Sequence, residues 1–146
     1  MKLLPVLLCA LLFPFTAAAQ DVPSNVEISF SKKFAAAGDV VWDVTEDGTY
    51  LAMFLLDGRD MSALFNEEGA WLSSTTYIDQ DEIPGKVQST VAKQFPDYEM
   101  YDVARVETPG GVYFEALLES ETDALLLHIN ADGKVLKREA VAVDSE

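Results

Sequence analysis

One turn motif occurs twice in this chain and constrains its fold more than any other feature. Phe65-Asn66-Glu67-Glu68-Gly69-Ala70-Trp71-Leu72 returns as Ile129-Asn130-Ala131-Asp132-Gly133-Lys134-Val135-Leu136. Each copy has an apolar residue, Asn, two spacer positions that end in an acid, Gly, one residue and two apolar residues. Because Gly adopts positive φ at little cost, the motif predicts a β-hairpin turn between two strands. A hairpin that occurs twice predicts a duplicated unit.

A helix pattern precedes each hairpin. Apolar residues recur every four positions at Val26, Phe30 and Phe34, and again, 61 residues later, at Val87, Val91 and Phe95. This spacing is typical of one face of a helix. Ser24 or Asn25 is the predicted N-cap of the first helix and Gly38 its predicted end, while the second follows Ile83-Pro84-Gly85 and stops at Pro96.

Four segments with strand character follow each helix. They span 40–44, 49–56, 60–65 and 70–78 in the first copy, and 100–107, 112–119, 123–129 and 134–143 in the second. The sequence therefore predicts an α+β fold, a tandem duplication of a helix plus a four-stranded antiparallel meander. The two meanders are expected to form one eight-stranded sheet with both helices on one face. Repeat 1 covers about 22–79 and repeat 2 about 83–143 of a single domain, 20–146.

Residues 1–19 are predicted to be a secretory signal peptide. Lys2 precedes an apolar run from Leu3 to Phe15, and Ala17-Ala18-Ala19 supplies a small-x-small cleavage pattern. The run is shorter than the ~20 residues that a membrane-spanning helix needs. The residues before Cys9 do not fit a lipoprotein anchor either. We therefore expect a periplasmic or secreted protein without a membrane anchor.

Cleavage changes the composition of the chain. It removes Cys9, the only cysteine, so the mature protein is expected to enter an oxidising compartment without disulfides. It also removes Lys2, which takes the formal net charge from -15 to about -16. Such acidity excludes nucleic acid and anionic membranes as partners, because both select basic patches. We interpret the charge mainly as a source of solubility, with a patch for a basic partner as the alternative.

Two predicted strands are apolar on both faces. Tyr50, Ala52 and Phe54 alternate with Leu51, Met53 and Leu55, and Tyr113 and Leu117 alternate with Phe114, Ala116 and Leu118. If the helices cover one face, the other keeps an apolar, aromatic surface, which usually marks an interaction site. The candidate binding residues are Tyr50, Phe54, Tyr101, Tyr113 and Leu117. The inverted face assignment is left open, as is burial of this face by sheet curvature, strand ends or a homodimer partner.

No catalytic constellation stands out, so we predict a protein that is not an enzyme and has no cofactor or metal. His128, the only histidine, occupies the position of Leu64 in the first copy and is interpreted as structural. No Gly-x-Ser-x-Gly motif supports a nucleophile. Asp79-Gln80-Asp81-Glu82 resembles the start of a calcium loop but lacks its glycine and distal Glu. These acids precede the second helix, where they interact favourably with its dipole.

The two tryptophans have different predicted environments. Trp42 alternates with Val40 and Val44, which favours a core position, although its indole N–H needs a partner. Trp71 follows the Gly69 turn at the start of a strand, where partial exposure is expected.

These motifs, in this order, resemble the PepSY-like, β-lactamase-inhibitor-protein-like (BLIP-like) family of exported bacterial proteins. The resemblance covers essentially the whole mature chain. It rests on the apolar-Pro helix starts, the helix ends Lys-Lys-Phe and Lys-Gln-Phe-Pro, the strand Val40-Val41-Trp42 and the turn 65–72. The copies differ where Ala35-Ala36-Ala37 corresponds to Pro96-Asp97-Tyr98 and where Trp42 corresponds to Val103. The resemblance implies a tandem helix-plus-four-strand fold, a periplasmic location in a Gram-negative, Bacteroidetes-like bacterium, and a binding or inhibitory role.

Three functions are left open. The leading hypothesis is an exported binding module that holds a protein or peptide on the helix-free face of its sheet. The resemblance implies an alternative, an inhibitor or regulator of a periplasmic hydrolase, for which the short loops 46–48 and 108–111 are available. The third is a structural homodimer that buries the apolar face.

Overall fold

The structure, a computed structural model, describes residues 21–142. The predicted signal peptide and the end of the last predicted strand lie outside the described residues. Two helices, α1 and α2, and eight strands, β1 to β8, follow in the predicted order. They are α1 Ser24–Lys33, β1 Val41–Val44, β2 Tyr50–Leu56, β3 Arg59–Phe65, β4 Trp71–Tyr77, α2 Gly85–Gln94, β5 Glu99–Thr108, β6 Gly111–Glu119, β7 Ala124–Asn130 and β8 Val135–Val141. A short 3₁₀ turn, Gln80–Glu82, precedes α2.

All eight strands form one antiparallel sheet in the order β1 to β8. Each strand pairs only with the strands next to it in sequence, so the sheet is an open meander. This confirms the prediction of an α+β fold with one eight-stranded antiparallel sheet and two helices. Hairpin connections alone suffice for this topology, since antiparallel neighbours need no crossover.

The helix boundaries differ from the prediction. Neither Ser24 nor Asn25 caps α1, because Pro23 holds the N-cap position and its carbonyl accepts the Val26 N–H at 2.9 Å. The helix ends at Lys33, where the Phe34 N–H bonds to the Phe30 carbonyl at 2.8 Å. Gly38 instead donates its N–H to the Leu55 carbonyl at 2.9 Å. The chain after α1 is therefore held by β2 rather than by a glycine cap.

Each helix buries its apolar face against its own half of the sheet. The buried residues of the α1 core are Val26, Phe30, Phe34, Ala52, Phe54, Ala63 and Phe65. Those of the α2 core are Ile83, Val87, Val91, Phe95, Val103, Phe114, Ala116, Leu118, Leu125, Leu127 and Ile129. The predicted helix positions all lie in these cores. Burial of such side chains stabilises the fold by about 1.5–3 kcal/mol each.

Strand register shows which sheet residues share a face. The cross-strand row Phe54, Met61, Thr76, Arg105, Phe114 and Ile129 runs partner to partner through six strands. Directly paired residues project to the same side of a sheet. Phe54 belongs to the α1 core, and Phe114 belongs to the α2 core. We call this side of the sheet the core face and the opposite side the open face.

The two tryptophans both contact the α1 half. The Trp42 ring lies 5.4 Å from that of Phe30 and 6.2 Å from that of Phe65, which confirms its predicted core position. Trp71 is half-buried, and the Lys33 Nζ lies 3.8 Å from its ring centre, a cation–π contact. Among residues 21–142, the Trp71 indole N–H is buried without a hydrogen-bond partner.

Candidate binding face

The open face has an apolar centre that is interrupted by polar and acidic side chains. Three cross-strand rows make up this centre. The first is Val41, Met53, Ser62, Thr75, Val106, Tyr113 and Asn130. The second has the pair Leu55 and Asp60 on β2 and β3, and Tyr77, Ala104, Glu115, His128 and Lys137 on β4 to β8. The third is Asp102, Leu117, Leu126 and Glu139. The face therefore crosses the whole sheet from β1 to β8.

The structure brings only two of the five predicted binding residues together on this face. Tyr113 and Leu117 lie on it and are half-buried. Tyr50 and Phe54 lie on the core face, and Phe54 is 5% exposed because it packs against α1. The predicted face of β2 was therefore wrong. Tyr101 is exposed at a β-bulge, where β5 carries one residue more than β6.

Sequence reasoning missed three exposed apolar residues near the centre of the open face. Met53, Leu55 and Tyr77 are 40%, 53% and 57% exposed. Met53 and Leu55 belong to the second alternating set of β2. The period-2 pattern separates the two sets but does not show which of them is exposed. Tyr77 ends β4, whose preceding open-face residues, Ser73 and Thr75, are small and polar. Nothing in that pattern singles it out.

Tyr77 separates two shallow concavities of the open face. One is lined by Asp39, Met53, Leu55, Asp60 and Tyr77, together with Phe54 and Met61, and holds about 350 Å³. The other is lined by Tyr77, Asp102, Ala104, Glu115, Leu117 and Leu126, together with Val103, and holds about 160 Å³. Both are open to solvent, whereas small-molecule sites bury most of their ligand in a deep cleft. Their shape suits the side chains of an extended or flat macromolecular partner.

Neighbouring side chains already cover part of the open face. Ala104 and Val106, at the middle of the sheet, are each only 4% exposed. The exposed apolar area therefore divides into a patch on β1 and β2 and a patch on β6 and β7. Tyr77 stands between the two patches.

His128 forms a compact polar group on the β6–β7 side. Its Nε2 lies 2.9 Å from the Glu115 Oε2, and its ring stacks on Tyr113 with a centroid separation of 4.6 Å. Burial, followed by the charge of Glu115, raises the pKa of Tyr113. Glu115 is the only hydrogen-bond partner of the His128 side chain among the described residues. These contacts favour a structural role for His128.

Glu82, an acidic residue of the 3₁₀ turn, has a structural role. Both Glu82 carboxylate oxygens accept from the Arg59 guanidinium, one at 2.9 Å, and the Asp79 N–H also donates to Glu82 at 2.9 Å. The bidentate hydrogen bond from Arg59, followed by the Asp79 N–H, lowers the pKa of Glu82. This segment therefore fastens the linker between the halves to β3. Within 21–142, no group of three or more His, Cys, Asp or Glu side chains is placed to hold a metal ion.

Carboxylates dominate the charge of the open face. Among the paired strand residues that the structure describes, the acidic residues of this face are Asp43, Asp60, Glu99, Asp102, Glu115, Glu119 and Glu139, against one lysine, Lys137. Glu115 and Glu139 are paired with His128 and Lys137. Asp60 and Asp102 have no ion-pair partner among the residues that the structure describes.

Comparison with solved structures finds a similar fold in proteins from Bacteroides species. A DUF2874 family protein from Bacteroides uniformis is 20% identical, with a TM-score of 0.75 over 81% of this chain and 88% of that one. A protein from Bacteroides eggerthii, provisionally named periplasmic, is 22% identical, with a TM-score of 0.75 over 82% and 88%. A BLIP-like protein from Bacteroides fragilis is 19% identical, with a TM-score of 0.74 over 85% and 91%. No family model and no curated protein matches the chain.

These similarities establish a fold shared with BLIP-like and DUF2874 family proteins. They confirm the BLIP-like fold that the resemblance implied, whereas the PepSY-like part of the resemblance stays a prediction. At such identities the binding residues are not transferable, because function belongs to surface residues rather than to the fold. Neither helix in residues 21–142 is long and apolar enough to cross a membrane.

Proposed function

We propose that this protein is an exported, non-enzymatic binding module that holds a protein or peptide on the open face of its sheet. The observation that carries the proposal is the pair of exposed apolar patches on either side of Tyr77. Met53 and Leu55 expose 40% and 53% of their surface on one side, and half-buried Leu117 and Leu126 form the other. Apolar patches rimmed by polar residues are typical of interaction sites.

We further infer that the fold is a duplicated unit with both helices on the core face. The supports are the shared core-face row and the equivalent contacts of the two hairpin turns. A Cβ on Gly69 would meet the Asn25 carbonyl at 2.8 Å, and one on Gly133 would meet the Lys86 carbonyl at 2.7 Å. Asn25 and Lys86 are 61 residues apart, the same offset as the helix cores. With the helices on one side, the open face is left for a partner.

Export is part of the same proposal. The N-terminal apolar run with its small-x-small site supports a cleaved signal peptide, and the provisional name of the B. eggerthii protein is consistent with a periplasmic location. Amino-terminal sequencing of the protein from the periplasm of an expressing Gram-negative cell is expected to begin at Gln20. An intact Met1 would contradict this.

Site-specific photo-crosslinking tests the binding face. A benzoylphenylalanine at Leu117 is expected to capture a protein from an envelope extract of the source organism, and mass spectrometry identifies the adduct. The matched control carries the same probe at Ser89, which is exposed on α2. The purified partner should then bind a Leu117→Ser variant at least tenfold more weakly. Equal capture at both positions, or unchanged affinity of the variant, would overturn the proposal.

The same crosslinking experiment distinguishes a homodimer from a complex with another protein. A crosslink from position 117 to a second copy of this chain would assign the open face to self-association. Analytical ultracentrifugation at micromolar concentration then measures the dimer directly.

Within residues 21–142, both loops considered for the hydrolase-inhibitor alternative are tight turns. Thr108 and Gly111 pair with each other across a tight turn, and Thr45 and Thr49 close the 46–48 turn through a backbone hydrogen bond of 2.9 Å. Neither connection extends far enough to enter an active site.

A further inference from the structure

We propose that the partner segment is basic and apolar, with an arginine or lysine that lies over Tyr77 between Asp60 and Asp102. This inference rests on the proposed function of the open face and names the chemistry of its occupant.

The position of Tyr77 supplies the first argument. Tyr77 is 57% exposed and lines both concavities, and the open-face residue paired with it on β5 is the small Ala104. A flat aromatic ring that is open to solvent attracts cations through its π face, and arginine also stacks on it. The aliphatic stem of a long basic side chain can cover apolar surface at the same time.

The carboxylates around Tyr77 supply the second argument. Asp60 lines the first concavity and Asp102 the second, so an acid stands on each side of the ring. Arg59 lines a further concavity with Asp60, Tyr77 and Asp102, but its guanidinium is paired with Glu82 and with neither of these two aspartates. Bringing two unpaired carboxylates against a neutral or acidic partner costs free energy, whereas a basic side chain between them is favoured.

Charge also argues against a second copy as the occupant. Two open faces in contact would place the same carboxylates near one another, in a chain with a formal net charge of -15. Like charges across an interface oppose association. A basic partner removes this repulsion and leaves the apolar patches free to pack.

Three ten-residue peptides test the inference. They share the same leucine and valine positions and carry arginine, glutamine or glutamate at the remaining ones. Isothermal titration calorimetry at 50 mM salt is expected to show that the arginine peptide binds at least tenfold more tightly than the glutamine peptide. The glutamate peptide should not bind, and 500 mM salt should weaken the arginine peptide because the contacts are exposed.

Variants with the same change in net charge test whether the affinity for the arginine peptide depends on Asp60 and Asp102. Asp60→Asn with Asp102→Asn is expected to weaken the arginine peptide about tenfold, and Tyr77→Ser about as much. Glu67→Gln with Glu68→Gln changes the net charge equally at the exposed hairpin turn and should leave affinity unchanged. No binding of the arginine peptide at 1 mM, or equal losses in both double variants, would overturn the inference.

The outcomes also separate this inference from the proposed function. Equal affinities for the arginine and glutamine peptides, both lost in Leu117→Ser, would overturn the basic partner while supporting the open face as a binding site. Crosslinking at position 117 tests that face independently of any peptide.

Discussion

The two halves of the molecule share a backbone plan but fill it differently. The residues before α1 and α2, Pro23 and Pro84, have the same backbone angles, φ -54° and ψ 139°. The α1 core is aromatic, with Phe30 placed 4.9 Å from Phe54 and 6.2 Å from Phe65, ring centre to ring centre. The α2 core is mostly aliphatic.

The two cores place their larger side chains on different elements, either the helix or the sheet. Phe30 of α1 corresponds to Val91 of α2, and Ala63 of β3 corresponds to Leu127 of β7. The α1 core therefore has the larger residue on the helix and the smaller one on the strand, and the α2 core has the reverse. The comparison teaches that the fold requires total core volume rather than a residue at a given position, as volume-conserving cores generally show.

Truncating the aromatic centre is expected to have the largest effect. Phe30→Ala should destabilise the protein by about 3–5 kcal/mol, since it leaves a cavity among four aromatic rings. Val91→Ala, the equivalent change in the second half, removes less volume and should cost about 2 kcal/mol. Urea unfolding with an unchanged m-value measures both. Equal losses would break the contrast between the two cores.

Substitution of the two hairpin glycines is expected to cause the next largest loss of stability. Gly133→Ala places a methyl group 2.7 Å from both the Lys86 carbonyl and the Thr90 Oγ1, in a backbone with φ +86°. Left-handed strain of about 1–2 kcal/mol adds to a steric cost of about 1–3 kcal/mol. Gly69→Ala should behave alike, since its Cβ would lie 2.8 Å from the Asn25 carbonyl.

Gly48→Ala is the control for this prediction. It has a similar φ of +78° but no neighbouring atom within 4 Å, so only the strain of about 1–2 kcal/mol should appear. A loss at Gly133 no larger than that at Gly48 would show that the turns do not dock on the helices.

The hydrogen bonds that dock these turns differ, which allows a sharper comparison. The Thr90 hydroxyl lies 2.5 Å from the Gly133 carbonyl, so Thr90→Val should cost about 1 kcal/mol. In the first half the Asn25 side-chain amide donates to the Glu67 carbonyl at 2.9 Å. Ser29, the counterpart of Thr90, makes no side-chain hydrogen bond among the described residues. Ser29→Ala should therefore change the free energy of unfolding by less than about 0.5 kcal/mol.

The linker between the halves should give the smallest effect, and one that depends on pH. The pKa of Glu82 is lowered in the folded protein by Arg59, so its contribution to stability is present above the unfolded pKa and is lost as pH falls through the folded pKa. The urea midpoints of the parent and Glu82→Gln should differ at neutral pH and converge in acid. A difference that persists below the folded pKa would assign the effect to packing.

Most of the backbone plan was predictable from local patterns. Asn66 and Asn130 each bond through the side-chain oxygen to two N–H groups inside the turn, and each is followed three residues later by a glycine with positive φ. Such interactions involve neighbours in sequence, so the turn and the order of strands follow from the motif. The helix caps were less predictable, because Pro23 left Asn25 free to bond across the fold to Glu67.

The sequence by itself determined the two helices, the meander and the two alternating sets of β2, because each depends on periodicity and turn chemistry. Only the tertiary structure decided which set is buried. Tyr50-Ala52-Phe54 and Leu51-Met53-Leu55 are both apolar, and the choice arises because Phe54 packs between Phe30 and Phe34, 4.9 and 4.8 Å away. The same packing turns Leu55 outward, onto the open face that also carries Tyr77. Periodicity divides a strand into two faces, but long-range packing decides which of them a partner can reach.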